Sequence, residues 1–318
     1  MAISDDRPSD PRRPGEPEAV FIVGVSRSGT TLMQRTLDSH SRLAVAMENH
    51  YLGHLVAREG ARHYFRRVGD LRDDANVRQL VDLVWSGEFQ RRSRLREISP
   101  YWRWLMRTVS RDDFEARLLA SDRSDRGVFT AIMRTYADVK GKPLIGEKTP
   151  AHLGYVETLL DWYPDARVIH MLRDPRAIYV SELRRRTERA VTVPYRQLVR
   201  VPFLFRAFLL NQVALTWAEA VGRHRTLVHR YPDRYRLVRF EDLVRDPRST
   251  LEGLLDFLGL EWEEEILAQK VVSKGSRRGE RGFDAGAAER WEDRIGGPAR
   301  RWLGSLLGGR LREVGYSE

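Results

Sequence analysis

Residues 19–37 read Ala19-Val20-Phe21-Ile22-Val23-Gly24-Val25-Ser26-Arg27-Ser28-Gly29-Thr30-Thr31-Leu32-Met33-Gln34-Arg35-Thr36-Leu37, a run containing a strand, a loop and a helix. The β-branched segment before Gly24 has the composition of a fully buried parallel strand, and Leu32, Met33, Thr36 and Leu37 return at helical spacing. Against the nucleotide pattern G-x-x-x-x-G-K-[ST], Gly24, Gly29 and Thr31 fit, but Thr30 stands at the lysine position. Backbone amides and the helix dipole still make an oxyanion cradle, while the cation that reaches the β- and γ-phosphates of a triphosphate is missing. Arg27 places a positive charge near the loop instead. This favours a nucleotide whose single 5′-phosphate carries a transferable group over a triphosphate held with Mg²⁺.

At 318 residues the chain can bury a sizeable core in one or two domains. Its 55 Lys+Arg against 45 Asp+Glu give +10, which suits phosphate, nucleic-acid or acidic-surface partners without choosing among them. With no cysteine, disulfides, thiolate metal sites and cysteine nucleophiles are excluded, and a cytoplasmic location is the expectation. Residues 1–18, rich in Pro, Asp and Arg, read as a disordered leader and not as a signal peptide. The most apolar helical segment, Phe203 to Leu215, carries Arg206 and is too short to span a bilayer, so no transmembrane segment is expected.

After the first helix, Leu43 to Met47 leads to Glu48-Asn49-His50-Tyr51. Glu48 is read at a sheet edge where a βα turn faces the nucleotide, or alternatively as a helix-start carboxylate favoured by the macrodipole. Residues 52 to about 142 carry helical spacing in four segments: Val77 to Trp85, Tyr101 to Val109, Phe114 to Ala120 and Val128 to Val139. Trp85, Trp102 and Trp104 among their arginines fit ordinary helix packing, with an acceptor-lining or stacking role as the alternative.

Two strand–loop–helix units follow: Pro143 to Gly146 into Glu147-Lys148-Thr149-Pro150 with a helix His152 to Trp162, and Ala166 to Leu172 into Arg173-Asp174-Pro175 with a helix Arg176 to Arg186. Their alternation predicts a right-handed parallel α/β sheet. Lys148 and Arg173 follow the strands directly, at the carboxyl edge where such sheets bind ligands. Where a Mg²⁺-binding aspartate would end the strand, Arg173 stands first, preparing a phosphate site to which Ser181 and, one turn on, Arg185 can add donors. Asp174-Pro175 reads as a cap with Pro at the first helical position.

Phe203 to Tyr231 reads as a long amphipathic helix, Tyr235 to Phe240 as a strand, and Glu241 to Leu258 as a helix. Glu241 and Asp242 fit helix capping and arginine pairing better than metal ligation, since no histidine accompanies them. Ser273 to Gly286 is basic and Gly/Ser-rich, a solvated linker or a loop over phosphates with Ser276, Arg277, Arg278 and Arg290 as donors, and helical spacing resumes from Ala287 to Arg312.

The Arg27-Ser28-Gly29-Thr30-Thr31-Leu32 loop and the Arg173-to-Ser181 unit resemble the 5′- and 3′-phosphate motifs of sulfotransferases that use 3′-phosphoadenosine 5′-phosphosulfate (PAPS). The form of the loop, with Glu48 21 residues after Arg27, is similar to that of tyrosylprotein sulfotransferases and many bacterial relatives; cytosolic sulfotransferases generally use a histidine base. The resemblance runs from about Val20 to Trp291, thinly over 52–142. It implies an α/β, three-layer P-loop fold: a central parallel sheet flanked by helices in a single domain over 19–318, with a helical acceptor-side insertion at about 52–142 and a basic C-terminal loop and helix at about 273–312.

It also implies Glu48 as general base, Lys148 on the bridging oxygen of the leaving phosphate, and Arg27 as a further catalytic cation. Arg27, Ser28, Gly29, Thr30, Thr31, Leu32, Arg173, Ser181 and Arg185, with Ser276 and Arg290 by looser spacing, become the nucleotide-binding set. Phe240 stands where relatives often carry tyrosine, so a hydroxyl contact is lost there. PAPS is the expected co-substrate, no metal is required, and the partner is a hydroxyl-bearing small molecule, carbohydrate, lipid or peptide; a homodimer stays open. Two alternatives stand beside this: a P-loop kinase or NTPase, which lacks its lysine at Thr30, and a non-catalytic basic nucleic-acid-binding protein, which leaves two phosphate motifs unexplained.

Overall fold

The computed structural model describes residues 12–53, 60–89, 99–188, 197–268 and 282–317. Five parallel strands, β1 (Ala19–Gly24), β2 (Leu43–Ala46), β3 (Leu144–Lys148), β4 (Arg167–Leu172) and β5 (Tyr235–Arg239), form one sheet in the order β2-β3-β1-β4-β5. Registers such as Val20 opposite Gly146 and Ile22 opposite Ile169 put β1 at its centre. Because all pairs are parallel, every carboxyl end lies on one edge, where Arg27 follows β1, Glu48 follows β2, Lys148 ends β3 and Arg173 follows β4.

Alternation of side chains divides β1 between two apolar layers. Ala19, Phe21 and Val23 face one cluster, Val20 and Ile22 the other, all at most 1% exposed. The second layer is built by α1 (Thr30–Asp38) and by α10 (Phe240–Arg245) and α11 (Pro247–Leu258). The first holds α2 (Ala61–Val68), α3 (Asp74–Trp85), α4 (Pro100–Thr108), α5 (Arg111–Ala120), α6 (Asp125–Lys140), α7 (Val156–Trp162), α8 (Pro175–Glu188), α9 (Pro202–Arg230) and α12 (Gly297–Glu313). The chain is therefore a three-layer α/β protein, with α2 to α6 inserted between the edge strand β2 and β3.

Local signals fix the insertion. Ser110 and Ser124 accept the amides of Asp113 and Gly127 at 3.0 Å each, starting α5 and α6, and Gly141 at φ 66° ends α6. Trp102 is buried between the rings of Phe65 and Phe89, so helix packing is what the structure shows for it. Edge strand β2 is tied to α1 by Gln34 Nε2 donating to Val45 O at 2.8 Å and Val45 N donating to Asp38 Oδ1 at 3.0 Å.

Several boundaries differ from the sequence reading, and β3 runs on to Lys148 where the reading ended it at Gly146. The segment after Lys148 begins as a 3₁₀ turn, Pro150–Tyr155, before α7. The helix expected from Glu241 to Leu258 is two helices, because Pro247 lacks an N–H and Asp246 caps a new start by accepting Ser249 N at 3.2 Å. After Trp291 the regular helix starts only at Gly297, within the Gly296-Gly297-Pro298 run, with Gly296 as its cap. Residues 12–18, assigned to the leader by composition, pack on the domain: Glu16 is buried and ion-paired with Arg42. Among the described residues no helix is long and apolar enough to cross a membrane.

Candidate active site

The phosphate loop is shaped by two glycines. Gly24 has φ 145°, and a Cβ there would sit 2.2 Å from Met171 O on the neighbouring strand. Gly29 has φ 85°, and its Cβ would meet the Phe240 ring at 2.4 Å. Gly29 caps α1 without any side-chain hydrogen bond, and the first helical bond runs from Met33 N to Gly29 O at 3.0 Å. The amides ahead of Met33 lack intrahelical acceptors, as in any first turn. Beside them the Ser28 hydroxyl is buried with no partner among the described residues. An orphaned hydroxyl under an uncapped helix start fits a bound phosphate.

Arg173 comes off the end of β4 with its guanidinium 4.1 Å above the Phe240 ring. Its Nη1 donates to Arg27 O at 3.3 Å and its Nη2 to Ala287 O at 2.9 Å, while its buried Nε has no partner among the described residues. Burial pushes this group down to about 10, against the pull of Glu241, so it stays cationic at neutral pH. Glu241 supports the turn by accepting Asp174 N at 3.1 Å and the Tyr316 hydroxyl at 2.8 Å. It thus turns inward, whereas Asp242 pairs with Arg239 as expected of a capping acid.

Arg27, at φ 73°, donates from Nε to Ser181 Oγ at 3.0 Å and lies 3.9 Å from Glu182 Oε1. Its side chain therefore joins the α8 side of the site, linking the phosphate loop to the Arg173/Ser181 unit. Arg185 is half exposed and paired with Glu182 at 3.0 Å. Arg290 is paired with Asp284, and no contact joins it to the phosphate loop among the described residues. Ser276, with Arg277 and Arg278, lies outside the described residues.

Across the edge, Glu48 stands two residues beyond β2 and Lys148 ends β3. Lys148 Nζ donates to Glu48 Oε1 and, at 3.2 Å, to Thr31 Oγ1 of the phosphate loop. His50 Nε2 is 3.6 Å from Glu48 Oε2. Burial raises the Glu48 carboxyl, but the positive charge of Lys148 and the His50 contact outweigh it and hold the group down at about 2. The arrangement combines an anion cradle, a cluster of cations and, at Glu48, an ionised carboxylate beside them.

Sequence reasoning missed what holds Glu48. Ser99, Tyr101 and Trp102 of the insertion bond to the backbone of Glu48 and Asn49, and Thr149 and His152 bond to the next turns. The only signal was local, the Glu147-Lys148-Thr149-Pro150 run, of which lysine alone was given a role.

Comparison with known proteins names the class. The sulfotransferase family model matches residues 17–264, and the chain belongs to the sulfotransferase family, whose members are enzymes. It is 22% identical to protein-tyrosine sulfotransferase 2 of Gallus gallus over 99% of this chain and 71% of that protein. It is 30% identical to carbohydrate sulfotransferase 5 of Mus musculus over 47% of this chain, spanning only 41% of that protein's length. The sulfotransferase domain of the Synechococcus PCC 7002 olefin synthase shares the fold at a TM-score of 0.51, with 21% identity over 92% of this chain and 95% of that one. Membership of this family displaces the kinase and nucleic-acid-binding alternatives.

Proposed function

We propose that the protein transfers a sulfuryl group from PAPS to an acceptor hydroxyl, with Glu48 taking the hydroxyl proton. The observation that carries this is the double contact of Lys148 Nζ, to Glu48 Oε1 on one side and Thr31 Oγ1 on the other. It puts a carboxylate one lysine away from the phosphate cradle. PAPS, when bound, supplies the sulfuryl group and leaves as adenosine 3′,5′-bisphosphate, while the acceptor oxygen loses its proton.

In this reading the first-turn amides of α1 with Ser28, Thr30, Thr31 and Leu32 hold the 5′-phosphate. Arg173 and Ser181 hold the 3′-phosphate, and Arg27 braces Ser181 between the two sites. Lys148 meets the charge that grows on the departing phosphate, and Glu48 orients and deprotonates the acceptor. The acceptor faces the insertion at about 52–142; the named relatives act on protein tyrosine and carbohydrate, and a hydroxyl on a peptide, carbohydrate, lipid or phenolic molecule suits the chemistry.

Adenosine 3′,5′-bisphosphate binding in the presence of a chelator tests the nucleotide half. Binding is expected to persist there, and Arg173→Ala to weaken it by about 1.5–3 kcal/mol, the worth of a charged hydrogen bond. Unchanged affinity in Arg173→Ala would remove Arg173 from the site.

A further inference from the structure

The segment Glu48 to Leu52 is held at every peptide. Ser99 Oγ donates to Glu48 O at 2.6 Å, Trp102 Nε1 to Asn49 O at 3.0 Å, and Ala61 N and Arg62 N to His50 O and Tyr51 O at 3.0 Å each. At its centre His50 has φ 54° and is buried, a conformation L side chains rarely adopt and one that persists where the surroundings over-determine it.

Two amides of the same segment, those of His50 and Leu52, are met by an acid-centred set on the strand side, while Tyr51 N donates to Asn49 Oδ1 at 2.9 Å. Glu147, Thr149 and His152 are all fully buried. A backbone amide can only donate, so His152 Nε2, which meets the Leu52 amide, is the bare nitrogen and its Nδ1 hydrogen points at Glu147 Oε2, 3.0 Å away, while Thr149 donates its hydroxyl hydrogen to Glu147 Oε1. Each partner then turns an acceptor outward. Thr149 Oγ1 receives the His50 amide at 3.4 Å, and His152 Nε2 receives the Leu52 amide at 3.3 Å. Both chains of hydrogen bonds end on the one carboxyl group.

We infer that Thr149, hydrogen-bonded to the buried Glu147, is a positioning residue for the transfer: its hydroxyl holds the strained His50 peptide and thereby aims Glu48 at the acceptor. This rests on the reading of Glu48 as the base. The helical insertion and the Glu-Lys-Thr-Pro turn clamp that loop from its two sides, so the turn that delivers Lys148 also fixes the group Lys148 pairs with.

Thr149→Val keeps the side-chain shape and removes the hydroxyl, while Thr149→Ser keeps the hydroxyl. The expected result is that Thr149→Val loses on the order of 10²-fold in kcat with an alcohol acceptor, the scale of an ångström misplacement. Its adenosine 3′,5′-bisphosphate affinity stays within about threefold of wild type, and Thr149→Ser recovers most of the rate. Equal rates in the Val and Ser variants would overturn the inference, as would a loss of nucleotide affinity in step with kcat, which marks a hydroxyl that merely maintains the fold. If Thr149→Val is fully active while Glu48→Gln is not, the positioning role fails and the base survives. If Glu48→Gln is itself active, the base reading fails, and the positioning role with it.

Discussion

Lys148 Nζ donates to Glu48 Oε1, so the carboxylate read as proton acceptor and the lysine read as leaving-group cation share one contact. The pair is coupled: whatever draws Lys148 toward a phosphate oxygen removes the charge that holds Glu48 at about 2 and makes it a stronger base. Thr31, at 3.2 Å from the same Nζ, marks the direction of that movement, toward the phosphate loop.

Lys148→Ala should therefore lower kcat by on the order of 10²–10³-fold while changing adenosine 3′,5′-bisphosphate affinity far less, since the charge it meets grows in the transition state. Steady-state kinetics beside equilibrium binding check this. A loss confined to KM for PAPS would make Lys148 a ground-state anchor.

The same pair has a signature in stability against pH. The Glu48 carboxyl is lowered from an ordinary 4.5 to about 2 in the folded protein, so its stabilising contribution is complete above about 4.5 and is lost as pH falls toward about 2. Denaturation midpoints of wild type and Glu48→Gln should differ by a constant amount at neutral pH and converge below about 4.5. A gap that does not change down to the acid limit would mean that the carboxylate is not ion-paired in solution.

Gly29→Ala asks whether the loop geometry is required. The residue sits at φ 85°, and the added Cβ would lie 2.4 Å from the Phe240 ring that packs under Arg173. A destabilisation of about 1–3 kcal/mol is expected in chemical denaturation, with weaker nucleotide binding. A variant as stable as wild type would show that the loop can relax.

The sheet and the turn that opens α1 were legible because each is local: a buried strand, a glycine turn and a helix start follow one another in sequence. The place of Lys148 and Arg173 at the carboxyl edge was legible for the same reason, although Lys148 is itself the last residue of β3 and only Arg173 follows its strand. The support around Glu48 was not. Ser99 and Trp102 reach it across about fifty positions and Thr149 across about a hundred, by hydrogen bonds that leave no period in the sequence. Arg27 shows a second kind of limit. Its place in the loop was evident, but its left-handed backbone, which carries the side chain to Ser181, was not.

The measurement closest to the central claim is the turnover of Glu48→Gln with an unactivated alcohol acceptor and PAPS. The amide keeps the size of the carboxylate and cannot take a proton near neutral pH. Normal adenosine 3′,5′-bisphosphate binding with kcat reduced on the order of 10²-fold or more is predicted, together with partial recovery when an acidic phenol replaces the alcohol. A near wild-type rate on the alcohol would contradict the account, leaving Glu48 as a structural partner of Lys148 and His50 as the next group to test.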